Sequence, residues 1–374
     1  MPRQRRFRLV HVDRESPGYT RRRCGRGFSY LDVDGKNVLR GEVRDRLRTY
    51  KIPPVWTDVW IATPPNGHLL ATGRDSKRRV QYLYHPLWHR IKQVEKFSQI
   101  AAFGNQLPKL RRRLRRDLND RRLSKRRVIA SVIRLLDRGH LRIGNEQYFE
   151  ANGTRGATTL DTENVHLDGQ DIQIEFQGKS GQARQIDLRD PLLARSIRDC
   201  SQLDSQFLFA YRDTRGDTQP VRSTDVNRYL RRAIGGNWTA KTFRTWGGSV
   251  AMIAAAAEHP IDLRRDPSGQ ELRGDSLRRA AEAETAARVR RVASTLGNTP
   301  AVCRESYIHP ELLQASKTAD LDRWIDHYQP PSYRSDLNVD EVRLLDWIDD
   351  NEAFETTRLD QVAPETVVAR RHAA

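Results

Sequence analysis

The sequence predicts an α+β chain of two domains: a small antiparallel β-rich N-terminal domain, then a mainly α-helical domain that carries a small β-hairpin sheet. Three observations predict it. Short alternating apolar runs broken by turn dipeptides fill residues 27 to 90; apolar residues recur at helical spacing from about 92 to 315; and residues 164 to 188, inside that helical zone, revert to alternation.

In the first zone GFSYLDVDGKNVL holds an Asp-Gly turn, IPPVWTDVWIATPPNGHLLATG holds Pro-Pro and Asn-Gly breaks, and RRVQYLYH alternates again. These are strands joined by tight turns. The helical zone is clearest in VEKFSQIAAFGNQLPKLRRRLRRDL, KRRVIASVIRLLDRGHL and LRRAAEAETAARVRRVASTLG. Its interruption, NVHLDGQDIQIEFQGKSGQARQIDL, places turns at Asp168-Gly169 and at Gly178-Lys179-Ser180-Gly181 between strand-like runs. The expected domains are therefore 1–90 and 91–315, followed by an acidic extension, 316–374, in which thirteen acidic residues face seven basic ones. VDEVRLLDWIDD, inside the extension, has helical period. The extension is expected to act as a solubilising segment or as a mild brake that competes for the basic body.

Composition narrows the function class. A formal charge of +18 on 374 residues, supplied mostly by arginine, points to a polyanionic partner. A hydrophobic content of 37% with seven tryptophans excludes a disordered basic tail. Cys24, Cys200 and Cys303 are odd in number and fit neither a disulfide frame nor a zinc site, which points to a reducing compartment. The apolar run VAMIAAAA is far short of the roughly 20 residues that cross a bilayer, and MPRQRRF leads into no signal-peptide core. A cytoplasmic protein is expected. KLRRRLRRDLNDRRLSKRR would ordinarily be a solvated helix face; in a chain this basic it is read as a phosphate-tracking surface.

Four short stretches carry chemistry: LRIGN (141–145), FQGKSG (176–181), KTFRTWGG (241–248) and GNTPAVCRESY (297–307). Each alone is weak. Together they supply what metal-free cleavage and rejoining of a phosphodiester demands. A tyrosine hydroxyl, Tyr307, forms a reversible phosphate ester. The planar donor forks of Arg142 and Arg244 suit the charge that builds on the phosphorane oxygens. Lys179, on a hairpin, serves as general acid for the leaving 5′-hydroxyl. The amide of Asn298 donates to a remaining oxygen. Asn298, Thr299 and Pro300 end one helix and start the next, which sets Tyr307 about two and a half turns further on.

These residues resemble the small poxvirus-like form of type IB DNA topoisomerase found in bacteria, over about residues 20 to 315. In that family an Arg, a hairpin Lys, K-x-x-R and then a His or Asn precede the Tyr, the last by nine residues; here they are Arg142, Lys179, Lys241 with Arg244, Asn298 and Tyr307. The resemblance extends to GRDSKRRVQYLYHPLW, where Gln81, Tyr82, Tyr84, Arg78 and Arg79 take the family's N-terminal DNA-contact role. Asn298 stands where poxvirus and eukaryotic members have histidine, and bacterial members resemble this chain in that respect. The resemblance implies a monomeric C-shaped clamp on double-stranded DNA. It also implies relaxation of supercoils of both signs through a 3′-phosphotyrosyl intermediate, with no ATP, no metal ligands and Mg²⁺ at most stimulatory, at a nucleoid-associated location.

Two other classes compete. A tyrosine recombinase uses a similar residue set but typically has H-x-x-R where Lys241 and Arg244 stand, and a helical domain where this chain reads as strands. A catalytically inactive architectural DNA-binding protein would need only the charge. Cys303, four residues before Tyr307, is read as a small buried hydrophobe, and His309 as part of a helix-interrupting HPELL step with no catalytic role.

Overall fold

The computed structural model describes residues 8–178, 181–262, 273–331 and 334–351. Its packing divides into a unit that ends at Ser98 and a second that runs from Gln99 to Asp350.

The first unit is built on a five-stranded antiparallel sheet. Its strands are β1 (Gly18–Cys24), β2 (Gly27–Leu31), β3 (Thr57–Ala62), β4 (Leu69–Arg74) and β5 (Val80–Tyr84), in the order β2-β1-β3-β4-β5. Helix α1 (Glu42–Thr49) follows β2, and α2 (Pro86–Ser98) ends the unit. Tyr30, Leu47, Ile52, Val59, Ile61 and Ala71 form the core. The sequence reading missed β1, GYTRRRC, because three consecutive arginines mask its alternation. Arg21 turns inward: its guanidinium donates to the carbonyls of Ile52, Pro53 and Trp56 and lies 4.1 Å from the Phe28 ring centroid. The Asp-Gly turn read after GFSYL is not a full hairpin, since only one bridge, Leu31 to Asn37, forms beyond it. The hairpin there is β1-β2, with Cys24 opposite Gly27.

In the second unit α3 (Ile100–Leu118) and α4 (Lys125–Gly139) lead to α5 (Glu146–Asn152) and a three-stranded meander of β6 (Val165–Asp168), β7 (Asp171–Gln177) and β8 (Ala183–Arg189). Then come α6 (Pro191–Cys200), the short hairpin of β9 (Ala210–Arg212) and β10 (Thr218–Pro220), α7 (Ser223–Ile234), α8 (Ala240–Glu258) and α9 (Gly274–Leu296). The described residues continue with α10 (Pro300–Ser306), α11 (Pro310–Lys317), α12 (Asp320–His327) and α13 (Val339–Asp350). Leu107, Leu110, Leu114 and Leu118 line one stripe of α3 at helical spacing and are fully buried against the α4 and α8 residues of one continuous core.

Four arginines of the arginine-rich run, Arg111, Arg113, Arg115 and Arg127, are buried or half-buried and brace the interior, while Arg112, Arg116, Arg121, Arg122 and Arg126 stay exposed. Arg111 bonds both carboxylates of a buried pair, Asp137 at 2.8 Å and Glu341 at 2.7 Å. Arg115 meets Asp336, Arg113 donates to the Arg232 carbonyl, and Arg127, itself buried, meets Asp199. Three acidic residues beyond position 315 are spent in the same way. Asp322 pairs with buried Arg288, Asp336 with Arg115, and Glu341 takes both Arg111 and the Trp246 indole N–H. Leu344, Leu345 and Trp347 of α13 are core residues. Residues 316–350 thus continue the helical unit, and residues 91–98 continue α2 of the first.

Candidate active site

Helix α8 carries the second arginine. Its first turn holds Lys241, exposed, and Arg244 lies one turn on, only 3% exposed. The glycines that follow let α8 approach its neighbours closely. A Cβ at Gly247 would lie 2.5 Å from the His140 ring, and one at Gly248 would lie 2.6 Å from the Tyr307 carbonyl oxygen. Arg244 donates to the backbone carbonyl of His140 and, at 3.0 Å, to that of Leu296. Those bonds fix its guanidinium carbon 4.9 Å from the centre of the Tyr307 ring.

Tyr307 caps the C-terminus of α10, its N–H bonded to the Cys303 carbonyl at 3.0 Å, and its side chain is 8% exposed. Burial pushes its phenol up. The charge and hydrogen bond of Arg244, then the charges of Arg142 and Lys241, outweigh it and hold the phenol below the usual tyrosine range. Burial raises the Cys303 thiol despite the same two arginines, as expected for an inert packing residue. His309 is 2% exposed and starts α11, its Nδ1 accepting from the Glu311 N–H.

Asn298 reaches the same place from a rigid corner. Gly297, at φ 55°, closes α9: its N–H bonds to the Ser294 carbonyl and the Asn298 N–H bonds to the Ala293 carbonyl. Thr299 caps the next helix through its hydroxyl. Arg142, on the loop after α4, donates to Oδ1 of Asn298. That contact orients the amide, because a guanidinium has donors only. Among the described residues, the buried Nδ2 of Asn298 and the buried Nε of Arg244 have no hydrogen-bond partner. Buried Arg244, half-buried Arg142, a tyrosine and unfilled donors converge here, an arrangement that could seat a tetrahedral or trigonal-bipyramidal oxyanion.

Lys179, the fifth expected element, lies outside the described residues, between β7 and β8 in sequence. Gly178 and Gln182, on either side in sequence, pair at 2.8 Å. Among the described residues no group of three or more His, Cys, Asp or Glu side chains could hold a metal ion, and no helix is long and apolar enough to cross a membrane.

The other expected contact residues lie in the first unit, on and before its edge strand β5. Tyr82 and Tyr84 share a face with rings stacked at 6.0 Å and 12°, and Tyr82 is 48% exposed. Arg78, at φ 58°, is in the turn before the strand. Arg79 and Gln81 both bond Asp75, which shapes that turn. Two further residues at this cluster were not legible in the sequence. His140 contributes only a backbone carbonyl, which no side-chain pattern reveals; Arg184, on β8, looks like any exposed strand arginine until β8 is seen beside the end of α9.

Residues 88–326 match the family described as eukaryotic DNA topoisomerase I, catalytic core, and residues 27–75 match bacterial DNA topoisomerase IB, N-terminal domain. The chain belongs to the type IB DNA topoisomerases. A DNA topoisomerase 1B of Acanthamoeba polyphaga mimivirus is 30% identical over 78% of this chain and 85% of its own length. DNA topoisomerase 1 of Mycosarcoma maydis is 28% identical over 50% of this chain and 20% of its own, and DNA topoisomerase 1 beta of Arabidopsis thaliana is 26% identical over 42% and 16%. As a member of this family the protein is an isomerase that acts on DNA. This topoisomerase joins a bacterial-type N-terminal sheet to a catalytic core shared with the eukaryotic enzymes.

Proposed function

We propose that this topoisomerase relaxes supercoils of both signs by breaking one strand of duplex DNA through Tyr307 and resealing it after the free end has swivelled. The observation that carries the reading is the seat around Tyr307: Arg244 over its ring, Arg142 on Asn298, and the unfilled amide of Asn298. The Tyr307 phenol gives up its proton to solvent, its Oη attacks phosphorus, a P–Oη bond forms, and the P–O5′ bond breaks. Two phosphodiesters are exchanged, so the 3′-phosphotyrosyl link keeps the bond energy and resealing needs no ATP. Arg142 and Arg244 neutralise the phosphorane oxygens and Asn298 donates to one of them, with Lys241 adding charge beside the phenol. Lys179 gives its proton to the departing 5′ oxygen, which would otherwise leave as a strongly basic alkoxide.

In this reading the cations do the electrostatic work for which other enzymes use a metal, so Mg²⁺ is at most stimulatory. Gln81, Tyr82, Tyr84, Arg78 and Arg79 hold the duplex from the N-terminal unit, and the two units close around it as a C-shaped clamp. The enzyme acts as a monomer on the nucleoid in the cytoplasm. Supercoiled plasmid incubated with the protein in EDTA without ATP tests the reading. Relaxation of positively and negatively supercoiled plasmid is expected; plasmid bound but left supercoiled would instead support an architectural DNA binder.

A further inference from the structure

Arg184 is half-buried on β8, opposite Phe176 in the register with β7. Its guanidinium donates to two consecutive backbone carbonyls at the end of α9, Ser294 and Thr295, each at 3.0 Å. Arg244 takes the next one, Leu296. The last carbonyls of a helix have no partner within it and carry the negative end of its dipole. Two arginines from two other elements therefore finish α9.

The next two residues are the glycine hinge and the amide donor. The Arg184 side chain crosses Gly297 so closely that a Cβ there would lie 2.4 Å from its Cδ and Nη1. At its other end the stem passes Gly178, where a Cβ would lie 3.3 Å from Cγ. One side chain thus ties the start of the β7-β8 turn to the residue before Asn298. Its own pKa is lowered by burial and then by the charges of Arg244 and Arg142, so it belongs to the same electropositive cluster.

We propose that Arg184 is a positioning residue for strand cleavage: by clamping the last turn of α9 and Gly297 it holds the Asn298 amide at the scissile phosphate. The inference rests on the role given to Asn298 above. Arg142 sets the direction of the amide, and Arg184 sets the place of the backbone that bears it. Lysine keeps the charge but cannot span two carbonyls with a planar fork.

The test is single-turnover cleavage of a duplex that traps the covalent adduct, in Arg184→Ala, Arg184→Lys, Asn298→Ala and the two double variants, with melting temperature and DNA affinity recorded for each. Asn298→Ala alone examines the underlying reading: a wild-type rate would remove the role of Asn298. For Arg184→Ala, a loss of about 10- to 100-fold in cleavage rate is expected while DNA affinity changes by less than about threefold. Arg184→Lys should recover only part of that loss. In the Asn298→Ala background, the further loss from either Arg184 change should be less than about twofold, because residues that act through one group are not additive. Losses that multiply, or an Arg184→Ala enzyme that cleaves at the wild-type rate, would overturn the inference. Arg184→Lys preserves the buried charge, so the cycle stands even if the alanine variant does not fold.

Discussion

Arg142 donates to the side-chain oxygen of Asn298 across 156 positions of sequence, and the amide nitrogen left on the other side has no partner among the described residues. An asparagine tethered in this way is a fixed donor with no proton to lose. Asn298→Ala should slow cleavage by about 100- to 1,000-fold, the range for removal of one oxyanion donor. Asn298→Asp should be slower still, since a carboxylate there repels the phosphorane and neutralises Arg142. Single-turnover cleavage rates check both; an aspartate enzyme faster than the alanine enzyme would contradict the assignment.

Arg244, Arg142 and Lys241 lower the phenol of Tyr307 against the opposing effect of burial. A lowered pKa means that the phenolate forms at a lower pH than in free tyrosine. Removing Arg244 should therefore move the rising limb of the cleavage rate against pH to higher pH, in addition to an overall loss of about 100-fold or more. A limb that stayed in place or moved lower would show that Arg244 acts on the phosphate alone.

The acidic C-terminal helices are structural, so deletion should not tighten DNA binding as a competing brake would require. Leu345 is fully buried and packs near Gly104 beside Trp246. Leu345→Ala should cost about 2–5 kcal/mol by thermal or urea unfolding. Glu341→Ala leaves Arg111 with Asp137 as its remaining carboxylate partner in a buried site and should cost about 3–5 kcal/mol. A chain stopped after residue 315 should lose its cooperative melting transition. A stable truncation with higher DNA affinity would restore the brake.

Tyr82 is the exposed member of the stacked pair on β5. Tyr82→Ala should weaken duplex binding several-fold with only a small drop in melting temperature, because about half of its surface stays exposed on an edge strand. Fluorescence anisotropy at two salt concentrations checks this. A large stability loss with unaltered binding would assign the tyrosine to packing.

The cluster of Tyr307, Arg244, Arg142 and Asn298 was legible because its members sit in side-chain patterns, such as a tyrosine after Asn-Thr-Pro and an arginine in K-x-x-R, whereas Lys179 lies outside the described residues. The meander was legible from its alternation and its Asp-Gly turn. What escaped depends on backbone or on distance. The His140 carbonyl that seats Arg244 has no signature, and Arg184 acquires meaning only from the end of a helix more than a hundred positions away. The arginine run was legible only in part, for a related reason. Charge in sequence does not reveal that its partners, Glu341 and Asp336, come back from the far end of the chain.

The most direct measurement is isolation of the covalent protein–DNA adduct from a denatured reaction, followed by peptide mapping of the modified residue. A 3′ strand end joined to Tyr307 is expected, with no adduct from Tyr307→Phe. An adduct on another residue, or supercoil relaxation by the phenylalanine enzyme, would contradict the role of Tyr307.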